Sequence, residues 1–242
     1  MHSNDFWTAE VAADYDILGA DMFADEVLVP TLDRLVELAE GGRVLEFAVG
    51  TGRVAVPLRR RGVDVTGIEL SPDMVAQLRT KLTQDELPVL LGDMATVRAP
   101  GAYSLVYLVF NTIGNLLTQD AQVECFRNAA AHLRPGGRFL IELFVPDPTR
   151  GRDASVFTAQ PGYIGLDTYE PVEQQLVSYH FRFGDGPEAT LGRTPQRYVW
   201  PAELDLMARL AGFVRESRHA DFSGTPFTAA SGSHVTVYRL PA

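Results

Sequence analysis

The chain has 242 residues, with 21 Lys and Arg against 31 Asp and Glu, a formal net charge of −10, and 46% hydrophobic and 21% charged residues. That length suits one α/β domain with a small insertion, and the composition excludes a disordered chain. A strongly negative field argues against nucleic acid and anionic membrane surfaces as partners, because both repel it.

The opening segment, Met1-His2-Ser3-Asn4-Asp5-Phe6-Trp7, has no basic stretch leading into an apolar core, so it does not read as a secretory signal. No apolar run reaches the roughly 18 to 20 residues that a bilayer crossing needs. Cys125 is the only cysteine, which leaves no intramolecular disulfide and no thiolate metal cluster. These features predict a cytoplasmic protein. Residues 1–20, aromatic at Phe6, Trp7 and Tyr15, precede the first firmly amphipathic helix and are expected to form a mobile lid.

Leu32, Leu35, Val36 and Ala39 mark that helix. Strand formers follow at Arg43–Ala48, Val63–Ile68, Pro88–Leu91, Ser104–Phe110 and Arg138–Phe144. Several are nearly continuous apolar runs, the pattern of strands covered on both faces. Between them, Ser71-Pro72-Asp73 opens a helix with an N-cap, a proline at the first helical position and an acid near the positive end. Met74, Leu78 and Leu82 form one apolar stripe; Phe126, Ala130 and Leu133 form another before Arg134-Pro135-Gly136-Gly137 stops that helix. Strands alternating with helices predict right-handed βαβ units and a parallel sheet.

The alternation breaks at residues 146–200. Turn signals at Pro146-Asp147-Pro148 and Gly184-Asp185-Gly186-Pro187 surround a strand-like stretch, Leu176–Phe183, which predicts a small antiparallel β insertion. Pro201–Leu210 then reads as a helix stopped by Gly212, and Phe213–Ser217 and His234–Leu240 as two strands able to pair as an edge hairpin. No repeat or composition shift marks a second domain, so residues 1–242 are expected to form one.

The most informative segment is Val44-Leu45-Glu46-Phe47-Ala48-Val49-Gly50-Thr51-Gly52. A strand enters a turn with two glycines, where the backbone can approach a ligand and the following helix offers free N–H donors. Pro57 falls early in that helix and is expected to loosen its first turns. Gly50-Thr51-Gly52-Arg53-Val54-Ala55 also fits the dinucleotide fingerprint, with Glu69 at the spacing of a ribose-binding acid, so an NAD-dependent oxidoreductase is a rival reading. Three acids tilt the choice. Glu46 lies inside the first strand, where a buried carboxylate needs hydrogen-bond partners. Glu69 closes the second strand, placed to grip two ribose hydroxyls, and Asp93 closes the third, able to accept from an exocyclic amine. One rim carrying three acids suits a ligand with a ribose, an amino group and a positive charge better than a pyrophosphate.

From about Tyr15 to Val145 the chain resembles the class I S-adenosylmethionine-dependent methyltransferases. Glu46–Gly52 resembles their first motif with Ala48 in place of the more usual first glycine, and Gly67-Ile68-Glu69-Leu70-Ser71 their ribose-binding strand end. Gly92-Asp93-Met94 resembles the adenine-contacting segment, Val109-Phe110-Asn111 the motif after the fourth strand, and Leu133–Gly137 the turn into the fifth. The resemblance implies a Rossmann-like α/β fold: a seven-stranded, mostly parallel sheet with helices on both faces and its last strand antiparallel. It implies S-adenosyl-L-methionine as cofactor, held by Tyr15, Glu46, Ala48, Gly50, Gly52, Glu69, Leu70, Met74, Asp93, Met94, Val109 and Phe110. Within the family the chain is most similar to small-molecule methyltransferases of the amino-sugar and natural-product kind, whose N-terminal Tyr-Asp segment is echoed by Asp14-Tyr15-Asp16.

The implied activity is methyl transfer to N or O of a small-molecule acceptor, with a homodimer as one possible assembly and a non-catalytic methyltransferase-like protein as a third reading. Catalytic residues are the least legible part, because the cofactor brings the chemistry and the protein aligns the acceptor. His180, in Tyr179-His180-Phe181, and Asn111 and Asn115, after the fourth strand, are the candidates; the asparagines can orient an acceptor or cap the next helix. His132, at a helix end, reads as a cap, and no residue set has metal-ligand spacing. Residues 146–200 are expected to cover the substrate site, and Phe157, Tyr163, Tyr169, Tyr179, His180, Phe181, Phe183, Tyr198 and Trp200 there suggest an aromatic-walled pocket. With the net charge, this predicts an uncharged or amine-bearing acceptor and disfavours a phosphorylated one.

Overall fold

A computed structural model of the chain describes residues 9–18, 20–147, 153–184 and 189–242. Phe6 and Trp7 of the expected lid, Pro148, and the Asp185-Gly186-Pro187 turn signal lie outside the described residues. In chain order the first elements are α1 (Ala9–Leu18), α2 (Asp25–Ala39), β1 (Val44–Phe47), α3 (Ala55–Arg60), β2 (Val65–Glu69), α4 (Pro72–Arg79) and β3 (Val89–Leu91). Next come β4 (Tyr103–Leu108), α5 (Gln119–His132), β5 (Leu133–Phe144), β6 (Ser155–Gln160), β7 (Tyr163–Glu170), β8 (Gln175–Phe183) and β9 (Ala189–Arg197). The chain closes with α6 (Pro201–Leu210), β10 (Val214–His219) and β11 (Ser233–Arg239).

The main sheet runs β10-β11-β5-β4-β1-β2-β3. β3, β2, β1, β4 and β5 pair in parallel, whereas β11 is antiparallel to both β5 and β10. Every residue of β1, β2 and β4 is buried, as continuous apolar runs require. Alternation along each strand splits the core into two layers. Leu45, Phe47, Val106 and Phe139 face α5 and α6 through Phe126, Leu204 and Met207. Val44, Leu105 and Leu140 face α2, α3 and α4 through Leu35, Leu58 and Leu78.

Local chemistry sets the ends of the helices. Ser71 caps α4 by accepting from the Met74 N–H at 3.3 Å, with Pro72 at the first helical position, and Thr118 caps α5 by accepting from Ala121 N–H at 3.1 Å. α3 spans only six residues and contains Pro57, consistent with the loosening expected of that proline. β5 begins directly after α5, so Pro135-Gly136-Gly137 lies inside the strand, at an irregularity in its pairing with β4.

The insertion forms a separate antiparallel sheet, β6-β7-β8-β9. Only β8 is evident in the sequence; β7 and β9 carry glycines and polar residues that obscure the strand pattern. The end of β9 is moored to the main body by Arg197, 5% exposed. Its guanidinium donates to Gln122 Oε1 at 2.6 Å, Glu203 Oε1 at 2.7 Å and Gln174 Oε1 at 3.1 Å, joining the second sheet to α5 and α6.

Candidate functional site

A cavity of about 550 Å³ lies between the carboxyl-end loops of the parallel strands and the second sheet, with α1 and residues 21–23 along its side. Its floor is the turn after β1. Ala48 and Gly50 line it, both with positive φ (53° and 56°), and a Cβ built on Gly50 meets no atom within 4 Å. The turn is thus a cradle that any side chain at position 50 would partly fill. Gly52 serves a different purpose: a Cβ there would lie 2.7 Å from Val56 Cγ2, so it permits packing rather than ligand approach.

Glu69, at the end of β2, braces the turn. Its Oε2 accepts from the Gly50 N–H at 2.8 Å and its Oε1 from the Ser71 N–H at 2.9 Å. Burial raises its pKa above the usual carboxylate range, and the backbone donors of Ser71, Gly50 and Leu70 oppose that shift. Glu46 lies beneath the turn, next to Tyr107 across the β1–β4 register, and accepts from the Tyr107 hydroxyl at 2.6 Å. Burial pushes its pKa up to about 8, against the lowering effects of the Tyr107 hydrogen bond and the Arg53 charge. Glu142 on β5, likewise raised by burial, accepts from the Phe110 N–H at 2.8 Å.

The wall after β4 is unusual backbone. Phe110 and Asn111 take consecutive positive φ values of 60° and 61°. Asn111 does not cap the following 3-10 turn, Thr112–Asn115; its Oδ1 accepts from Phe144 N–H at 2.6 Å and so ties the loop to β5. The left-handed conformation carries the side chain away from the cap position. Phe110, Asn111, Thr112 and Asn115 all line the cavity, and the Arg53 guanidinium lies 5.5 Å from the Phe110 ring centroid.

The roof is one face of the second sheet. Ser178, His180 and Arg182 alternate along β8 and line the cavity with Tyr163 of β7 and Thr194 and Gln196 of β9. Tyr163 Oη and His180 Nδ1 share a hydrogen bond of 2.6 Å, with the two rings stacked at 6.0 Å, and Ser178 donates to Asp167 Oδ1 at 2.6 Å. Burial, aided by the Arg182 charge, lowers the pKa of His180 and keeps its ring neutral, while Asp167 acts in the opposite direction. Of the nine rings expected to wall the pocket, only Tyr163 and His180 line it. Tyr179, Phe181 and Phe183 fall on the other face by the two-residue period of β8, so the roof is polar.

On the side, Tyr15 of α1 lines the cavity. α1 is anchored to the glycine turn by Asp16, which accepts from Thr51 Oγ1 at 2.6 Å and pairs with Lys81, whose ammonium also donates to the Thr51 carbonyl at 2.8 Å.

Tyr15, Ala48, Gly50, Glu69, Met74, Phe110, Asn111, Asn115 and His180 therefore share one cavity. Glu46, Gly52, Leu70, Asp93, Met94 and Val109 are not among its lining residues: Glu46, Met94 and Val109 are buried behind it, and Asp93 Oδ1 accepts from the Ala95 N–H at 2.7 Å. His132 is a core residue; its Nε2 accepts from the Ala99 N–H at 2.9 Å while its Nδ1 meets the Asn128 carbonyl at 2.7 Å. Sequence reasoning named Tyr163 and His180 but missed Arg53 and the roof residues Ser178, Arg182, Thr194 and Gln196. The alternation Ser178-Tyr179-His180-Phe181-Arg182-Phe183 was the available signal for the latter.

Comparison with known proteins adds independent findings. Residues 44–137 match the family described as a methyltransferase domain. The chain is similar to the structure of the CcbJ methyltransferase from Streptomyces caelestis, with a TM-score of 0.81, 36% identity, and coverage of 88% of this chain and 89% of that one. It is 30% identical over 239 residues to a demethylmenaquinone methyltransferase of Beutenbergia cavernae, covering 95% of this chain and 87% of the relative. It is 26% identical over 206 residues to a cypemycin N-terminal methyltransferase of a Streptomyces species, covering 82% and 83%.

Proposed function

The chain belongs to the S-adenosylmethionine-dependent methyltransferases and acts on a small-molecule acceptor, and we propose that the accepting atom is an amine nitrogen. The observation that carries this reading is the neutral His180–Tyr163 pair in the roof of the cavity whose floor is the glycine turn. An amine arrives mostly as an ammonium ion and must lose a proton before its lone pair can react. A neutral imidazole suits that task, whereas a hydroxyl, with its far higher pKa, calls for a stronger base. The N-terminal methyltransferase among the relatives agrees with an amine acceptor.

The residues present fit the cofactor, as the open space above Gly50 indicates. S-adenosylmethionine supplies a methyl group on a positively charged sulfur, which an acceptor lone pair displaces in line. In this reading the Ala48–Gly50 turn admits the methionyl end, Tyr15 covers it and Glu69 takes the ribose hydroxyls. His180 Nδ1–H donates to Tyr163 Oη, leaving Nε2 to accept the ammonium proton. Asn115, Thr194 and Gln196 orient the acceptor, and the second sheet with α1 excludes water.

Family membership, rather than the glycine turn alone, decides against the dinucleotide reading. No helix among the described residues is long and apolar enough to cross a membrane. The net charge of −10 supports an enzyme that does not use nucleic acid. The test is incorporation of labelled methyl from S-adenosylmethionine into small amines, small alcohols, RNA and protein offered side by side. Labelling confined to small amines is expected, and to fall at least about 100-fold in His180→Ala if the imidazole acts as base. Labelling of alcohols but not amines overturns the choice of nitrogen.

A further inference from the structure

Among the described residues, the roof holds a guanidinium, that of Arg182, which no other group pairs with. Arg182 lines the cavity two residues beyond His180 on β8, directly across from Tyr163 of β7. Its Nε is shielded from solvent and has no hydrogen-bond partner, and among the described residues Arg182 forms no ion pair. The neighbouring polar groups are already satisfied by one another: Tyr163 by His180, and Ser178 by Asp167. The other guanidiniums near this ligand space are committed. Arg53 stacks by Phe110 and donates to the Met22 carbonyl at 3.4 Å, and Arg193, which also lines the cavity, holds its guanidinium 5.6 Å from the Tyr179 ring centroid. A buried N–H left without an acceptor is costly unless a ligand supplies one, and a guanidinium presents a fork that matches planar or tetrahedral oxyanions.

We propose that Arg182 is the binding site for an anionic oxygen group, a carboxylate or phosphate ester, on the methyl acceptor. The acceptor is then an amine that also carries an anion. The β8 repeat places the residue holding the anion about 7 Å, Cα to Cα, beyond the one holding the reacting nitrogen. This rests on the preceding reading of the cavity as the acceptor site. It departs from the expectation drawn from net charge, because a partner at contact distance outweighs a screened field from the whole surface.

The test uses the full chain saturated with S-adenosylhomocysteine. Phenylglyoxal modification of Arg182 is followed by peptide mass spectrometry with inorganic phosphate, acetate or neutral acetamide present. Phosphate or acetate is expected to slow the modification and acetamide to leave it unchanged; the stronger protector tells phosphate ester from carboxylate. Protection by neither anion overturns the proposal. In a second arm, matched amines are offered as methyl acceptors, an amino acid against its methyl ester and an amino-sugar phosphate against the free amino sugar. The anionic member should be favoured about tenfold or more in kcat/KM, mainly through KM, and Arg182→Gln should abolish the preference while binding S-adenosylhomocysteine normally. Equal use of both members, or a preference that survives in Arg182→Gln, overturns the anion site and leaves methyl transfer to amines standing. If small alcohols are methylated and no amine is, the preceding reading fails instead, and the protection arm still decides the arginine.

Discussion

Glu46 and Ala48, two residues apart, illustrate opposite ways of fitting a side chain into a demanding place. Ala48 holds φ 53°, a left-handed conformation that costs an L-residue about 1 kcal/mol and that glycine adopts freely. That is the physical reason the resembling family more often has glycine there. Glu46 is buried with the Tyr107 hydroxyl on its Oε2, and burial lifts its pKa from 4.5 to about 8. The folded protein therefore keeps a proton that the unfolded chain releases between about pH 4.5 and about pH 8, so this contribution is fully present below that window and lost as the pH rises through it. Glu46→Gln keeps an acceptor oxygen for Tyr107 and removes the titration. Chemical denaturation at about pH 5 and about pH 8.5 should show a larger loss of stability in the wild-type protein than in the variant. Equal losses would mean that Glu46 ionises normally inside the sheet.

Among the elements, the second sheet depends on one mooring. Arg197 ends β9 and joins Gln122 of α5, Gln174 before β8 and Glu203 of α6. Its side chain is 6% exposed and that of Glu203 15%, so removing the cation leaves a carboxylate in a dry setting with only glutamine donors. Arg197→Leu should lower unfolding stability by about 3 kcal/mol. It should also speed amide exchange in β8 and β9 more than in β1 and β4, since the parallel core has its own two apolar layers. Uniform acceleration across both sheets would show that the mooring is not local. α1 is held more lightly, by Asp16 and Lys81 against Thr51, both partly exposed.

Across the whole molecule, the proposed cofactor space lies where the glycine turn, the β4–β5 loops, α1 and the roof meet. A ligand there binds only the folded chain and should stabilise all of it. S-adenosylhomocysteine at 100 times its Kd adds about 2.7 kcal/mol, which for a chain of this length raises Tm by about 5 °C. NAD at the same concentration should leave Tm unchanged. A shift with NAD and none with S-adenosylhomocysteine would contradict the cofactor assignment.

The parallel core was legible from the chain alone, because its determinants are local: apolar runs at β1, β2, β4 and β5, the Ser71-Pro72-Asp73 cap, and glycines where the turn after β1 needs them. The order of motifs likewise sufficed for the family and its cofactor. The acceptor side was not legible. Whether Tyr179 or His180 faces a ligand depends on a one-residue choice of face, which the register of β8 against β7 and β9 settles and composition cannot. The same holds for the acids: Glu46 and Glu69 both lie near the carboxyl ends of their strands, yet strand pairing sends one beneath the turn to Tyr107 and brings the other to the cavity against Gly50. Local sequence set the elements; their long-range register set which side chains meet.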